Sequence, residues 1–231
     1  MRNSPAHLAV SLAYDWRMKK TWGLALFGLA LAACSNGGTT TPVGTPSTTA
    51  SITGTVANFS GAANTPIALQ LYLNGSGSPA TIARGLVQAN GSFTVDLPGE
   101  NAFKDYLYPI GSVSYPGCTG SLTSSDAGAK FVDVRYLNVQ PAGSAAYNVF
   151  AFTAGTGGGS LREWVYADRA TTLAGTLNCT SVAGVAVNSA VNVNLALKQG
   201  WNSVVETVAS GSATIAVSDS GPTAWAPVPT Q

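Results

Sequence analysis

The chain has 231 residues and is nearly neutral, with 11 basic and 10 acidic side chains. This length allows one large or two small β domains. The low charge excludes the basic surface that nucleic-acid binding requires, so we predict no nucleic-acid partner. The one histidine, His7, precedes the segment that we expect to be removed on export, which argues against histidine-dependent catalysis in the remaining chain.

The first predicted element is a signal peptide over residues 1–33. A basic stretch, residues 17–20, precedes an apolar run from Trp22 to Ala33, and this run is shorter than the roughly 20 residues of a membrane-spanning helix. A basic region, a short apolar region and small residues at the end are typical of a secretory signal. Because Met18 begins a conventional signal of this kind, we expect the true start there.

The signal ends in Leu31, Ala32, Ala33 and Cys34, which resemble the lipobox of bacterial lipoproteins at every position. The resemblance implies that Cys34 carries a fatty acid, such as palmitate, on its sulfur and begins the mature chain. The alternative is an ordinary secretory signal followed by an unmodified cysteine. We therefore predict an outward-facing protein of the bacterial cell envelope, anchored to membrane lipid through Cys34. Inner and outer membrane both stay open.

Removal of residues 1–33 leaves seven basic and nine acidic side chains, and three cysteines. With Cys34 lipidated, Cys118 and Cys179 are an even pair in an oxidising compartment, so we predict a disulfide between them. Two buried free thiols are the alternative. Residues 34–50 contain the lipidated cysteine and then no large apolar residue beyond Val43, so we predict a flexible tether.

Beyond the tether, the chain is predicted to be all-β, with an antiparallel β-sandwich architecture. Short segments of alternating apolar and polar residues are separated by clusters of glycine, asparagine and proline, which favours strands joined by turns. Residues 155–160 are predicted to form a flexible glycine loop, and the end from Pro222 is predicted to be loose, with Trp225 able to dock. The predicted strands cover residues 51–56, 66–73, 80–88, 92–97, 131–139, 147–152, 161–166, 172–179, 191–197, 200–205 and 213–217.

Three segments in the first half carry a resemblance to a known domain. They are residues 52–56, residues 67–73, and residues 90–98 with the sequence Asn-Gly-Ser-Phe at their start. Together they resemble the carboxypeptidase regulatory-like, or prealbumin-like, β-sandwich over residues 51–110. The resemblance implies a non-catalytic accessory or adhesion-like domain. Residues 111–231 are predicted to form a second β-rich domain or to continue the sandwich.

Two kinds of side chain are candidate site residues, the acidic and the aromatic. The acidic residues stand singly in the sequence, so we interpret them as solvated surface and predict no metal or cofactor. A calcium ion shared by Asp96, Glu100 and Asp105 is the alternative for one group, and a hydrolase that uses carboxylates alone is a remote alternative function.

The aromatic residues Trp164, Tyr166 and Trp201 are the predicted ligand-binding residues. Trp164 and Tyr166 share one face of a strand. If that face is wet, it can stack on sugar rings, and if it is dry, the rings are core, which is the usual outcome. We therefore predict a non-enzymatic lipoprotein in a structural or interaction role, with envelope proteins or cell-surface glycan as partners. The alternative is a carbohydrate- or ligand-binding module.

Overall fold

A computed structural model of the chain describes residues 50–71, 79–109, 118–155, 158–182, 185–209 and 212–228. The predicted signal peptide, the lipobox with Cys34 and nearly all of the predicted tether lie outside the described residues. Within those ranges, none of the helices has the length and apolar character needed to cross a lipid bilayer.

The described residues form fifteen β-strands and two short 3₁₀ turns, which confirms the all-β prediction. The 3₁₀ turns are Glu100–Ala102 and Lys104–Tyr106. The strands are β1 Ser51–Val56, β2 Thr65–Leu71, β3 Ala80–Val87, β4 Ser92–Asp96, β5 Tyr108–Pro109, β6 Cys118–Ser124, β7 Lys130–Val134, β8 Tyr136–Val139, β9 Tyr147–Gly155, β10 Gly158–Ala167, β11 Thr171–Val182, β12 Val185–Leu197, β13 Gly200–Ala209, β14 Ser212–Val217 and β15 Ala224–Pro227.

The differences from the predicted strands have local causes. The alternating segment 131–139 is divided at Arg135 into β7 and β8. The predicted glycine loop is shorter than expected. Gly155 still belongs to β9, and Gly158 already belongs to β10 and pairs with Gly155. Strand β6 was not predicted, since Leu122 is its only buried side chain and the alternation is therefore weak.

Of the described strands, seven close into a barrel in the order β1, β4, β3, β2, β8, β9 and β15. Strand β15 completes it, running parallel to β1 and antiparallel to β9. This closure is not part of the sandwich that the sequence predicted. It leaves no open sheet edge within the ring, which removes unpaired backbone groups. Both predicted segments, 51–110 and 111–231, contribute strands to the barrel.

The interior of the barrel is filled by alternate residues of its strands. Ile52, Val95, Leu137 and Val149 are each fully buried there. Trp225 is also fully buried, as the predicted docking of this ring allowed, although the proline-rich end around it was predicted to be loose. Its ring stacks on Trp164, with centroids 5.5 Å apart and an angle of 15° between the planes. The size of Trp225 explains why a four-residue segment is held as a barrel strand.

The sheet extends beyond the barrel through β10. This strand pairs with β9 up to Arg162 and with β7 from Trp164 onward, while β13 and β14 continue the sheet on its other side. A separate three-stranded sheet, in the order β12, β11 and β6, packs against this extension. The residues between the two layers form a second core cluster, which includes Phe131, Leu177 and Val204.

Candidate functional site

The predicted ligand-binding pair Trp164 and Tyr166 lies on one face of β10, and that face is dry. Their exposed fractions are 5% and 7%, and both belong to the core cluster that fills the barrel. The structure therefore places them in the core, which is the usual outcome for such rings. A buried ring has no free face on which a sugar can stack.

Trp201 is half-buried and joins the same aromatic group at one end of the barrel. Its ring lies 5.4 Å from that of Tyr166 and 5.3 Å from that of Phe103. Its indole Nε1 donates a hydrogen bond of 2.9 Å to the carbonyl oxygen of Pro98. The three predicted residues therefore hold the segment that follows β4 against the extended sheet.

Glu100 connects this segment to the aromatic group. The hydroxyl of Tyr166 donates a hydrogen bond of 3.0 Å to Oε2 of Glu100. Burial of the phenol, followed by the hydrogen bond and the negative charge of Glu100, raises the pKa of Tyr166 to about 12. The phenol therefore stays neutral and acts as a hydrogen-bond donor, which is a positioning role.

The calcium alternative involved Asp96 and Asp105 together with Glu100. Asp96 is exposed at the end of β4, whereas Glu100 and Asp105 belong to different 3₁₀ turns. In the part of the chain that the structure describes, no three acidic, histidine or cysteine side chains are grouped to hold a metal ion.

The predicted disulfide is confirmed between Cys118 and Cys179. The two cysteines are directly opposite each other on the antiparallel strands β6 and β11. The bond therefore fastens β6, the edge strand, to the middle strand of the three-stranded sheet. The other predicted cysteine, Cys34, lies outside the described residues.

A cluster of three charged side chains occupies the point where β10 changes its neighbour from β9 to β7. Arg135 stands in the break between β7 and β8, where the strand leaves the extension and enters the barrel. Its Nε and Nη2 donate hydrogen bonds of 3.1 and 2.8 Å to Oε2 of Glu163. Its Nη2 also lies 3.7 Å from Oε2 of Glu206. We call this group the junction cluster.

The junction cluster is largely buried, although the sequence predicted both acids to be solvated surface. Glu206 is 7% exposed and lies between Val204 and Val208, on the face of β13 that meets the second core cluster. Its loss of solvent, reinforced by the charge of Glu163 and opposed by that of Arg135, raises the pKa of Glu206 to about 7. The guanidinium of Arg135 therefore lies close to two carboxylates, those of Glu163 and Glu206, which are 43 residues apart in sequence.

Replacing Glu206 by glutamine is expected to raise the free energy of unfolding at about pH 8 by up to about 3 kcal/mol. Because the folded pKa lies above the ordinary 4.5, the folded state binds this proton more tightly than the unfolded state. The stabilising effect of the neutral carboxyl is complete below pH 4.5 and is lost as the pH rises to about 7. Glutamine stays neutral throughout, so urea unfolding near pH 4 should show little gain.

Glu163→Gln is the matched control, because it removes the other carboxylate from the same guanidinium. Glu163 accepts both hydrogen bonds from Arg135, so we expect its loss to cost about 1–3 kcal/mol at about pH 8. Equal effects of the two substitutions, or a gain from Glu206→Gln that does not depend on pH, would contradict the arrangement described for the junction cluster.

A row of aromatic rings lies on the outer face of the barrel and was not predicted. Val149 and Ala151 of β9 point into the core, so their neighbours Phe150 and Phe152 point outward. Tyr136 of β8 is directly opposite Phe150. All three rings are half-buried. The alternation of β9 was visible in the sequence, but it does not show which of its two apolar faces is turned inward.

A shallow depression lies between the sheet extension and residues 220–224. Thr153, Ser160 and Val205 line it together with residues 220–224. The lining offers hydroxyl and backbone groups, and it includes no acidic, basic, histidine or cysteine side chain among the described residues. It therefore lacks the pair of groups that acid–base or nucleophilic chemistry needs.

Comparison of the chain with protein-family models, with curated proteins and with solved structures finds no significant match.

Proposed function

We propose that the chain is a cell-envelope lipoprotein, anchored to a bacterial membrane through a lipid on Cys34, whose outward-facing β ectodomain has a non-catalytic structural or interaction role. The lipobox residues Leu31 to Cys34 support the anchor, and the tether supports a domain held away from the bilayer. The Cys118–Cys179 disulfide is consistent with export, because disulfides persist in oxidising compartments.

The observation that carries the non-catalytic role is the filled interior of the barrel. Trp225 and Trp164 stack on each other in the core cluster that fills it, and Phe93 meets Trp225 edge-on with centroids 5.4 Å apart. A small barrel has an interior just wide enough for side chains, and these aromatic side chains occupy it. The surfaces that remain for partners are therefore on the outside of the ectodomain.

This proposal keeps two expectations from the sequence, the β-sandwich and the resemblance of the first half to prealbumin-like domains. The three-stranded sheet packs face to face on the sheet extension around the second core cluster, and we assign the sandwich character to these two layers. We also keep an accessory or adhesion-like role for the first half, whose strands β1 to β4 form part of the barrel.

The carboxylate-only hydrolase is the least supported alternative. Glu163 and Glu206 are close to one another, but their side chains are only 14% and 9% exposed and share Arg135. A glycoside hydrolase needs room for substrate between its two acids. We therefore assign the junction cluster a structural role, in which Arg135 pairs with carboxylates of β10 and β13.

Replacing Cys34 by alanine is expected to abolish labelling of the chain by radioactive or clickable palmitate, because the acylated sulfur is absent. The unprocessed precursor should accumulate, since the cut lies directly before this residue in a lipobox. Metabolic labelling followed by mass measurement of the chain tests both effects. Cys118→Ala is the matched control and should keep its label. A Cys34→Ala chain that is labelled as strongly as the wild type would overturn the proposed anchor.

A further inference from the structure

The outer face of β8 and β9 combines aromatic rings with amide side chains. Tyr136 and Phe150 have ring centroids 6.3 Å apart, and Phe150 and Phe152 have centroids 5.5 Å apart. The three rings thus form a continuous row across two strands. They belong to neither core cluster, so their packing within the described residues leaves part of each ring at the surface.

The ring of Phe152 packs against the backbone of Gly159 in the neighbouring strand β10. A Cβ atom added to Gly159 would lie 2.7 Å from two atoms of this ring, so only glycine lets the ring approach the neighbouring strand so closely. An aromatic ring that covers a strand glycine in this way is held in place by it. One side of Phe152 is therefore fixed against β10, while the ring as a whole is still half-buried and not fully covered.

Amide side chains continue the row on the same outer face. Asn138 lies directly opposite Asn148, and its Nδ2 donates a hydrogen bond of 3.0 Å to Oδ1 of that residue. Gln140 donates through Nε2 to Oδ1 of Asn138, also at 3.0 Å. Each amide has two donor hydrogens and two acceptor lone pairs, which is more than these bonds use. The bonds hold the amides in fixed orientations.

We propose that this outer strip, formed by Tyr136, Asn138, Gln140, Asn148, Phe150 and Phe152, binds a neutral polysaccharide of pyranose units. A pyranose ring has an apolar face of C–H groups, which packs on aromatic rings, and a rim of hydroxyl groups, which pairs with amides. Binding sites commonly combine aromatic side chains with a few oriented polar groups in this way. None of the six residues is charged, so the strip suits a neutral glycan.

This inference deepens the proposed interaction role and rests on it only for the source of the glycan, the cell surface. It also moves the aromatic binding face from Trp164 and Tyr166, which are core, to the opposite face of the sheet. A protein with an apolar surface is the other occupant that a half-buried aromatic row can take, and the absence of oligosaccharide binding would favour it.

The test measures binding of the detergent-solubilised full chain to chitohexaose and to cellohexaose by isothermal titration calorimetry. We expect the wild type to bind at least one of them and Phe152→Ala to bind it about tenfold more weakly or worse, a loss of about 1.4 kcal/mol. Asn148→Ala should also weaken binding. The control is Leu86→Ala, which removes an exposed apolar side chain from β3 and should bind as the wild type does.

Phe152→Leu distinguishes ring stacking from general apolar contact, because it keeps an apolar side chain without an aromatic face. Weak binding by this variant supports the strip as a glycan site, and wild-type binding by it contradicts ring stacking. If the wild type binds neither oligosaccharide, the proposal is overturned. Cys34→Ala should bind the same oligosaccharide as the wild type and equally well, so a failure of the lipid anchor stays separate from a failure of the glycan site.

Discussion

Replacing Trp225 by alanine is expected to lower the free energy of unfolding by about 3–5 kcal/mol, the usual cost of removing a large core aromatic. Trp225 is fully buried and packs against Trp164 and Phe93. It also belongs to the strand that closes the barrel between β1 and β9. The substitution therefore both opens a cavity in the core and weakens the strand that closes the barrel. Since domains are stable by only about 5–15 kcal/mol, this loss is a large fraction of the total stability.

Trp225→Phe is the companion variant, because it keeps a ring in the core. The indole Nε1 of Trp225 is buried and has no hydrogen-bond partner among the described residues. Loss of this N–H removes an unsatisfied donor, which offsets part of the lost packing. Urea unfolding should therefore rank the stabilities as wild type, then Trp225→Phe, then Trp225→Ala. A wild-type urea midpoint for Trp225→Ala would show that the closing strand does not depend on this ring.

Gly54 explains how the indole fits into so small a space. A Cβ atom at this position would lie 2.3 Å from Nε1 of Trp225 and 2.6 Å from the carbonyl oxygen of Thr223. Both neighbours belong to the closing end of the chain. The glycine in β1 is thus required by close approach of another strand, which is a common reason for glycine within a sheet.

Replacing both Cys118 and Cys179 by alanine is expected to lower the free energy of unfolding by about 4 kcal/mol in the chain-entropy model. The bond joins residues separated by 61 positions, so its loss releases a long loop in the unfolded chain. The effect should be greatest at β6, where Leu122 is the only buried side chain. This edge strand is held by its hydrogen bonds to β11 and by the disulfide.

Urea unfolding of the double variant, with and without a reducing agent, measures this contribution. The wild type should lose stability on reduction, whereas the double variant should not respond to the reductant. Hydrogen exchange should be accelerated most in β6 and less in the barrel strand β1. The control is Cys34→Ala, which leaves the loop closed. A double variant with wild-type stability and wild-type exchange in β6 would show that the bond contributes little.

The alternation of apolar and polar residues was sufficient to predict most strands, but it did not predict which face of each strand would be buried. The alternation in β10 places Trp164 and Tyr166 on one face, and the structure has them so. Both faces of that strand carry large side chains, so periodicity could not tell which one would be covered by the barrel. The same ambiguity concealed the outward-facing rings of Phe150 and Phe152.

The junction cluster could not be predicted from the sequence, for a different reason. Glu163 and Glu206 belong to β10 and β13, and Arg135 lies in the break between β7 and β8. The three are distant in sequence, and each alone is typical of a solvated charge. They meet because β10 exchanges one partner strand for another at that point. A contact created by strand order leaves no periodic signal in any single strand.

The sequence by itself determined that the chain is built of β-strands, because residue alternation is a property of the chain alone. The Cys118–Cys179 pair followed from the number of cysteines only with Cys34 assigned to the lipid, and the structure places the two cysteines opposite each other. The sequence also carries the basis for the proposed lipid anchor at Cys34. Tertiary structure decided the closure of the barrel by the end of the chain, the burial of Trp164 and Tyr166 and the exposure of the outer strip. These depend on which strands become neighbours, and strand pairing is governed by the burial of side chains such as Trp225 from remote parts of the chain.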